Sequence, residues 1–168
     1  MARQRRDETR AAFLRASSEA LAEARRQGEL RERMRGSAGG ERAELRGDQA
    51  AVVEGLRNLS ESLSTPATRA PEGGQEVRSE VRRAMESARQ TLESLQAGGE
   101  RNTPSPSAAS TETVEALNRA ARMAARMGRE AGARGQGGQG GDQLWRALQQ
   151  MAQRQAGLAE RAGSLRPM

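Results

Sequence analysis

Apolar side chains along this chain recur at alternating spacings of three and four residues, a pattern that gathers them on one side of an α-helix. The first run is Phe13, Ala16, Ala20, Glu23, Gln27, Leu30 and Met34, and the second is Leu45, Gln49, Val52, Leu56, Leu59 and Leu63. A third (Val77, Val81, Met85, Ala88, Leu92, Leu95) and a fourth (Val114, Leu117, Ala121, Ala124, Met127) are shorter and richer in alanine. The fifth is Leu144, Leu148, Met151, Gln155, Leu158, Ala162 and Leu165. The runs predict an all-α chain of four or five amphipathic helices, as a coiled coil or a loose bundle, joined by flexible Gly/Pro/Ser linkers.

Glycine and proline set the expected boundaries. Residues 1–64 read as a hairpin-like pair of helices broken at Gly36 to Gly40. Then come a linker at 65–74 containing Pro66, Pro71, Gly73 and Gly74, a helix at 75–97, and a disordered linker at 98–110. A basic amphipathic helix at 111–131, a Gly/Gln linker at 132–141 and a heptad helix at 142–165 complete the chain. Ser110 or Thr111 and Asp142 are the expected N-caps, and Gly36, Gly98 and Gly132 the expected C-terminal stops. Gly28, Gly55 and Gly157 fall inside helices, where each costs about 1 kcal/mol relative to alanine. Isolated helices of this length are marginal in water, so these need each other or a partner.

Composition sharpens that requirement. Setting aside 30 alanines, only 28 larger apolar residues remain, and Leu, Val and Phe make up about 12 % of 168 residues, which argues against a conventional single-core domain. Ala, Glu, Leu and Arg make up about 54 %, the composition of long helices and coiled coils.

The chain has no His, Cys, Lys, Tyr or Ile. Most general bases, nucleophiles and metal ligands are therefore missing. A serine such as Ser17 or Ser60 has neither an imidazole nor an amine to take its proton, and the Walker phosphate loop lacks its lysine. Cys/His zinc sites are excluded, and the glutamates sit mostly within a turn of an arginine, as solvated ion-pair partners do. The expectation is a non-enzyme with no cofactor and no metal. No run approaches the roughly 18 apolar residues of a membrane span, and the N-terminus lacks the apolar core of a signal peptide, so the chain as given reads as soluble.

Gln27, Gln49 and Gln155 share one phase, each followed by Leu or Val at plus three and an apolar residue at plus seven. A polar residue inside an apolar seam can fix register and partner number at a cost in stability. The commonness of glutamine here offers the plainer explanation of the coincidence.

The net charge of +6 is dispersed: +4 over residues 1–35, −2 over 36–64, and +2 in each of 111–141 and 142–168. Absent Lys, Ile and Tyr share A/T-rich codons, so a GC-rich genome accounts for arginine in place of lysine without selection for phosphate binding. One basic stripe stands out: Arg119, Arg122, Arg126 and Arg129, opposite an Ala/Met face containing Met123 and Met127. Such a stripe could dock on an acidic partner, an anionic lipid surface or a phosphate backbone. A solvated face supported by pairs such as Glu115 with Arg119 is the simpler reading. No Trp or Phe lies on its apolar face, against membrane insertion, and Trp145 is expected to pack on a helix.

The segment Val114-Glu-Ala-Leu-Asn-Arg-Ala-Ala121, the Gly/Gln linker, the run Leu148-Gln-Gln-Met-Ala-Gln-Arg-Gln-Ala-Gly-Leu158 and the ending Leu165-Arg-Pro-Met168 resemble part of a group of large bacterial proteins of unknown function. Those carry membrane spans near the N-terminus and a long Gln-rich helical region behind them. The likeness covers residues 20–168 and departs in having Arg and Ala where the group has runs of Gln. It implies that this chain is an internal portion of a longer envelope-associated protein, with Met1 an internal methionine, and it transfers no catalytic residues.

The functional expectation is a structural or protein-interaction segment that associates with itself or another helical chain. Its seam is Leu45, Val52, Leu56, Leu59, Leu63, Leu144, Leu148, Met151 and Leu158. The alternative is an Arg-rich module binding nucleic acid or another polyanion through Arg119, Arg122, Arg126 and Arg129.

Overall fold

The computed structural model describes residues 1–36, 41–97 and 105–133, and all the elements among them are helical. They are α1 (Ala2–Gly36), α2 (Arg42–Ser62), a short α3 (Ser64–Arg69), α4 (Pro71–Gln96) and α5 (Pro106–Ala133). The four long helices pack in the cyclic order α1, α2, α4, α5, each against two neighbours. Hydrogen bonds between successive helices fix their directions: Gln27 meets Gln49, Gln49 meets Ala88, Ser87 meets Thr113, and Ser17 meets Ala121. A second contact in three of these pairs, Arg33 with Glu44, Glu80 with Arg119 and Gln27 with Ser110, has one number rising as the other falls, so the arrangement is an up-down-up-down four-helix bundle. The seventh-residue repeats of the sequence become its interior.

That interior is one continuous core, contrary to what the composition suggests. The reason is alanine. Twelve of the 25 buried apolar residues among the described ones are alanines, and on α5 they dominate: Ala109, Ala116, Ala120, Ala121, Ala124 and Ala125. Small side chains let helix backbones approach closely, and α5 has the most extensive contacts in the bundle, with α1 and α4. The larger residues Leu45, Val52, Leu56 and Leu59 come from α2, diagonally opposite α5, and fill the space that the alanines leave. Two glycines on α5 continue the close approach to α1, for a Cβ at Gly128 would lie 2.8 Å from Leu14 Cδ2, and one at Gly132 would lie 3.0 Å from Arg10 Cζ.

The expected linker at 65–74 is mostly helix. Pro66 falls in the first turn of α3 and Pro71 opens α4, positions where a missing N–H costs no intrahelical bond. The chain turns instead at Ala70, with φ −130° and ψ 72°, and at Gly73, whose φ of +85° is open to glycine at little cost. Gly74 is required for another reason: a Cβ there would lie 2.7 Å from the Ala67 Cα, so α3 could not fold back on the first turn of α4. At the other end, α5 begins five residues before its expected start. Ser105, and neither Ser110 nor Thr111, caps it, its Oγ accepting from the Ala108 N–H at 3.3 Å. α4 ends at Gln96 with Ala97 as its C-cap, and α1 and α5 are described as far as Gly36 and Ala133.

One layer of the core is polar and draws on all four long helices. Gln27 Nε2 donates to Gln49 Oε1 (2.9 Å) and to Ser110 Oγ (2.7 Å). Gln49 Nε2 donates back to Gln27 Oε1 (3.0 Å) and to the Ala88 carbonyl (3.1 Å). All three side chains are fully buried, and all four amide hydrogens are used. Truncating one amide strands the other, so Gln27→Ala or Gln49→Ala should each cost about 2 kcal/mol or more. Replacing both by leucine should cost less than the sum of the single Gln→Leu changes, a coupling that urea melts of the double-mutant cycle would measure.

Candidate functional site

The structure places the first five of the expected association residues inside the protein. Leu45, Val52, Leu56, Leu59 and Leu63 are all within 2 % of complete burial, covered by the protein's own helices. This half of the seam is therefore consumed within the chain. Leu144, Leu148, Met151 and Leu158 lie outside the described residues, as do Gln155, Asp142 and Trp145.

The basic stripe on α5 is divided by its neighbours. Arg119 turns toward α4, where its Nε is 2.9 Å from Glu80 Oε2, and the expected partner Glu115 is farther, at 3.9 Å. Arg126 pairs along its own helix with Glu130 at 3.4 Å. Arg122 is exposed, with no ion pair to any described residue. Met127 is buried and Met123 packs against the core, as an Ala/Met face pointing inward requires. The stripe is thus one helix edge on which Arg119 and Arg126 are engaged by carboxylates.

At the opposite end of the bundle the charges are balanced. Arg33 bridges to Asp48 at 2.5 Å and Glu44 at 3.3 Å, closing α1 onto α2. The carboxylates hold the exposed Arg33 above its ordinary range, with the Asp48 hydrogen bond as the main cause. The shallow depression beside this pair is lined by Arg26, Glu29, Leu30, Arg33, Asp48 and Ala51. It offers carboxylates and guanidiniums that already face each other and no nucleophile beside a base. Among the described residues no group of three or more acidic side chains is placed to hold a metal ion.

Compared with protein-family models, curated proteins and solved structures, the chain matches none of them.

Two features of the interior have only faint sequence signals. Ser110 stands seven residues before Leu117, on the same heptad position, yet it reads locally as a cap because it follows a Pro/Ser-rich stretch. Glu23 occupies a seam position and is held there by Gly55 on α2, where a Cβ would lie 2.5 Å from the carboxylate Oε1. Its partner is Arg26, 3.0 Å away on the same helix. Burial raises the Glu23 carboxyl above the ordinary glutamate range, and Arg26 offsets only part of that.

A carboxyl with a raised folded value stabilises the fold when protonated, and that contribution is lost as pH rises through the folded value. Glu23→Gln keeps the shape and removes the buried charge. Thermal melts should show the variant at least as stable as the parent at pH 7, with its advantage shrinking toward zero as pH falls below the ordinary glutamate range.

Proposed function

We propose that the chain is a non-enzymatic structural element: a self-contained four-helix bundle that carries a separate helix-pairing segment at residues 142–165. The supporting observation is the burial of Leu45, Val52, Leu56, Leu59 and Leu63 within the chain. Every long helix of the described bundle already has its two neighbours, so the heptad-spaced residues left for a partner are Leu144, Leu148, Met151 and Leu158. The Gln27–Gln49 pair supports the same reading. A glutamine in this sequence phase meets another glutamine in an antiparallel neighbour, and Gln155 has the same phase. The partner is a second copy of the chain or another helical protein.

The surface agrees with a structural role. Among the described residues the only exposed large apolar side chain is Met1, and cross-helix ion pairs such as Arg83–Glu112 (3.0 Å) and Arg69–Glu8 (3.4 Å) link the helices where they meet solvent. Exposed pairs of this kind contribute about 0–1 kcal/mol each, so they guide orientation more than they hold the fold. No helix among the described residues is long and apolar enough to cross a membrane. The likeness to Gln-rich helical regions that follow membrane spans fits a spacer or adaptor in a larger assembly.

Light scattering on the full chain and on a Leu148→Asp, Leu158→Asp variant tests the reading. The parent should gain mass with concentration, while the variant stays monomeric with an unchanged bundle melting temperature. A parent that remains monomeric throughout removes self-association and leaves another helical chain as the partner. A variant that loses the bundle melt would show that 142–165 belongs to the core and would sink the proposal.

A further inference from the structure

The antiparallel packing of α1 against α5 brings two basic segments, distant in sequence, to one end of the bundle. Ser17 Oγ donates to the Ala121 carbonyl at 2.9 Å, Leu14 covers Gly128, and the Arg10 guanidinium lies over Gly132. The first half of α1 therefore runs alongside the second half of α5. Arg3, Arg5, Arg6, Arg10, Arg15 and Arg122 all fall in this region and have no ion pair with any described residue, and all but Arg10 are exposed. The acidic side chains nearby cancel them only in part. Glu8 is engaged by Arg69 and Glu130 by Arg126, while Asp7 and Glu19 on α1 and Glu76 on α4 have no ion pair with any described residue.

We propose that this end of the bundle binds the phosphate backbone of a nucleic-acid duplex, with Arg3, Arg6 and Arg10 of α1 and Arg122 of α5 as the contacting cations. From Arg3 to the level of Ser17, which faces Ala121 beside Arg122, α1 rises about 21 Å at 1.5 Å per residue. A duplex carries one charge per about 1.7 Å of axis, so this length faces about a dozen phosphates. Guanidiniums suit them, since each offers a planar fork of donors to phosphate oxygens. Among the described residues, two alternatives lack the side chains they need. Single strands are gripped by aromatic stacking, but Phe13 is wholly buried and no other aromatic residue occurs among the described residues. An interfacial helix needs apolar anchors, and among the described residues none is exposed apart from Met1. Contacts made to phosphates alone carry no base readout, so the binding is sequence-independent.

The test is fluorescence anisotropy of a labelled mixed-sequence duplex of about 20 base pairs titrated with the full chain over a range of salt, a length that covers the proposed footprint several times. The site variant is Arg3→Gln, Arg6→Gln, Arg122→Gln, all at exposed positions. The control is Arg42→Gln, Arg46→Gln, Arg82→Gln, which removes the same charge from exposed positions on α2 and α4. The parent should bind at low salt with a steep negative salt dependence. The site variant should lose at least about tenfold in affinity and about 2.7 from the slope of log K against log salt, at 0.9 per lost phosphate contact. The control should stay within about threefold of the parent, because its charges lie away from the contact. Absence of binding at low salt, equal losses in the two variants, or tighter binding to anionic phosphatidylserine vesicles than to the duplex at equal anion concentration would each overturn the proposal.

Discussion

Gln27 and Gln49 are fully buried, and each amide brings two donors and an acceptor into the core that must be matched there. They match each other, and what remains is taken by Ser110 Oγ and the Ala88 carbonyl, so one level of the bundle binds all four long helices. Leucine layers tolerate sliding, because one methyl surface resembles the next. A reciprocal amide pair does not. Moving α2 one turn along α1 would leave both amides among apolar side chains, at a desolvation cost of about 1–3 kcal/mol for each stranded group. The hydrophobic layers provide the drive to pack, and this layer selects the register in which they do so.

Register selection matters here because the rest of the core is poorly discriminating. α5 presents alanines that would fit against many surfaces, and α2 presents leucines and a valine that would fit many cavities. Their diagonal placement pairs the smallest helix face with the largest, and the bundle closes around that complementarity. The glycines at 128 and 132 extend the small face along α5, so that Leu14 and the guanidinium end of Arg10 lie on its backbone. A chain poor in large apolar residues thus reaches a single core by shortening the distance between helices.

The helices and their inward faces were legible because three-four spacing survives any choice of apolar residue, alanine included. The single core is not legible, because alanine adds little to a count of large apolar residues and yet makes up nearly half of the buried apolar set among the described residues. The phase shared by Gln27 and Gln49 was visible, but frequency alone could have produced it, and only the meeting of α1 with α2 at that level distinguishes the two. Pro66, Pro71, Gly73 and Gly74 read as a linker since each disfavours a helix interior. Two of them sit instead in first turns, where proline fits, and the chain reverses over very few residues. Ser110 is ambiguous for a related reason, as cap chemistry and a small polar core residue look alike in sequence.

Charge illustrates the same limit on a larger scale. Counted along the chain, the arginines of α1 are diluted by the glutamates in its second half, and those of α5 by the acidic residues near its start. Antiparallel packing undoes that averaging by placing the basic half of each helix beside the basic half of the other. At the far end Arg33, Glu44 and Asp48 close their charges on one another, whereas Arg3, Arg5 and Arg6 make no ion pair with any described residue. The bundle is polarised along its axis. A linear sum of charges cannot show this, because the polarity belongs to the topology and no single helix carries it.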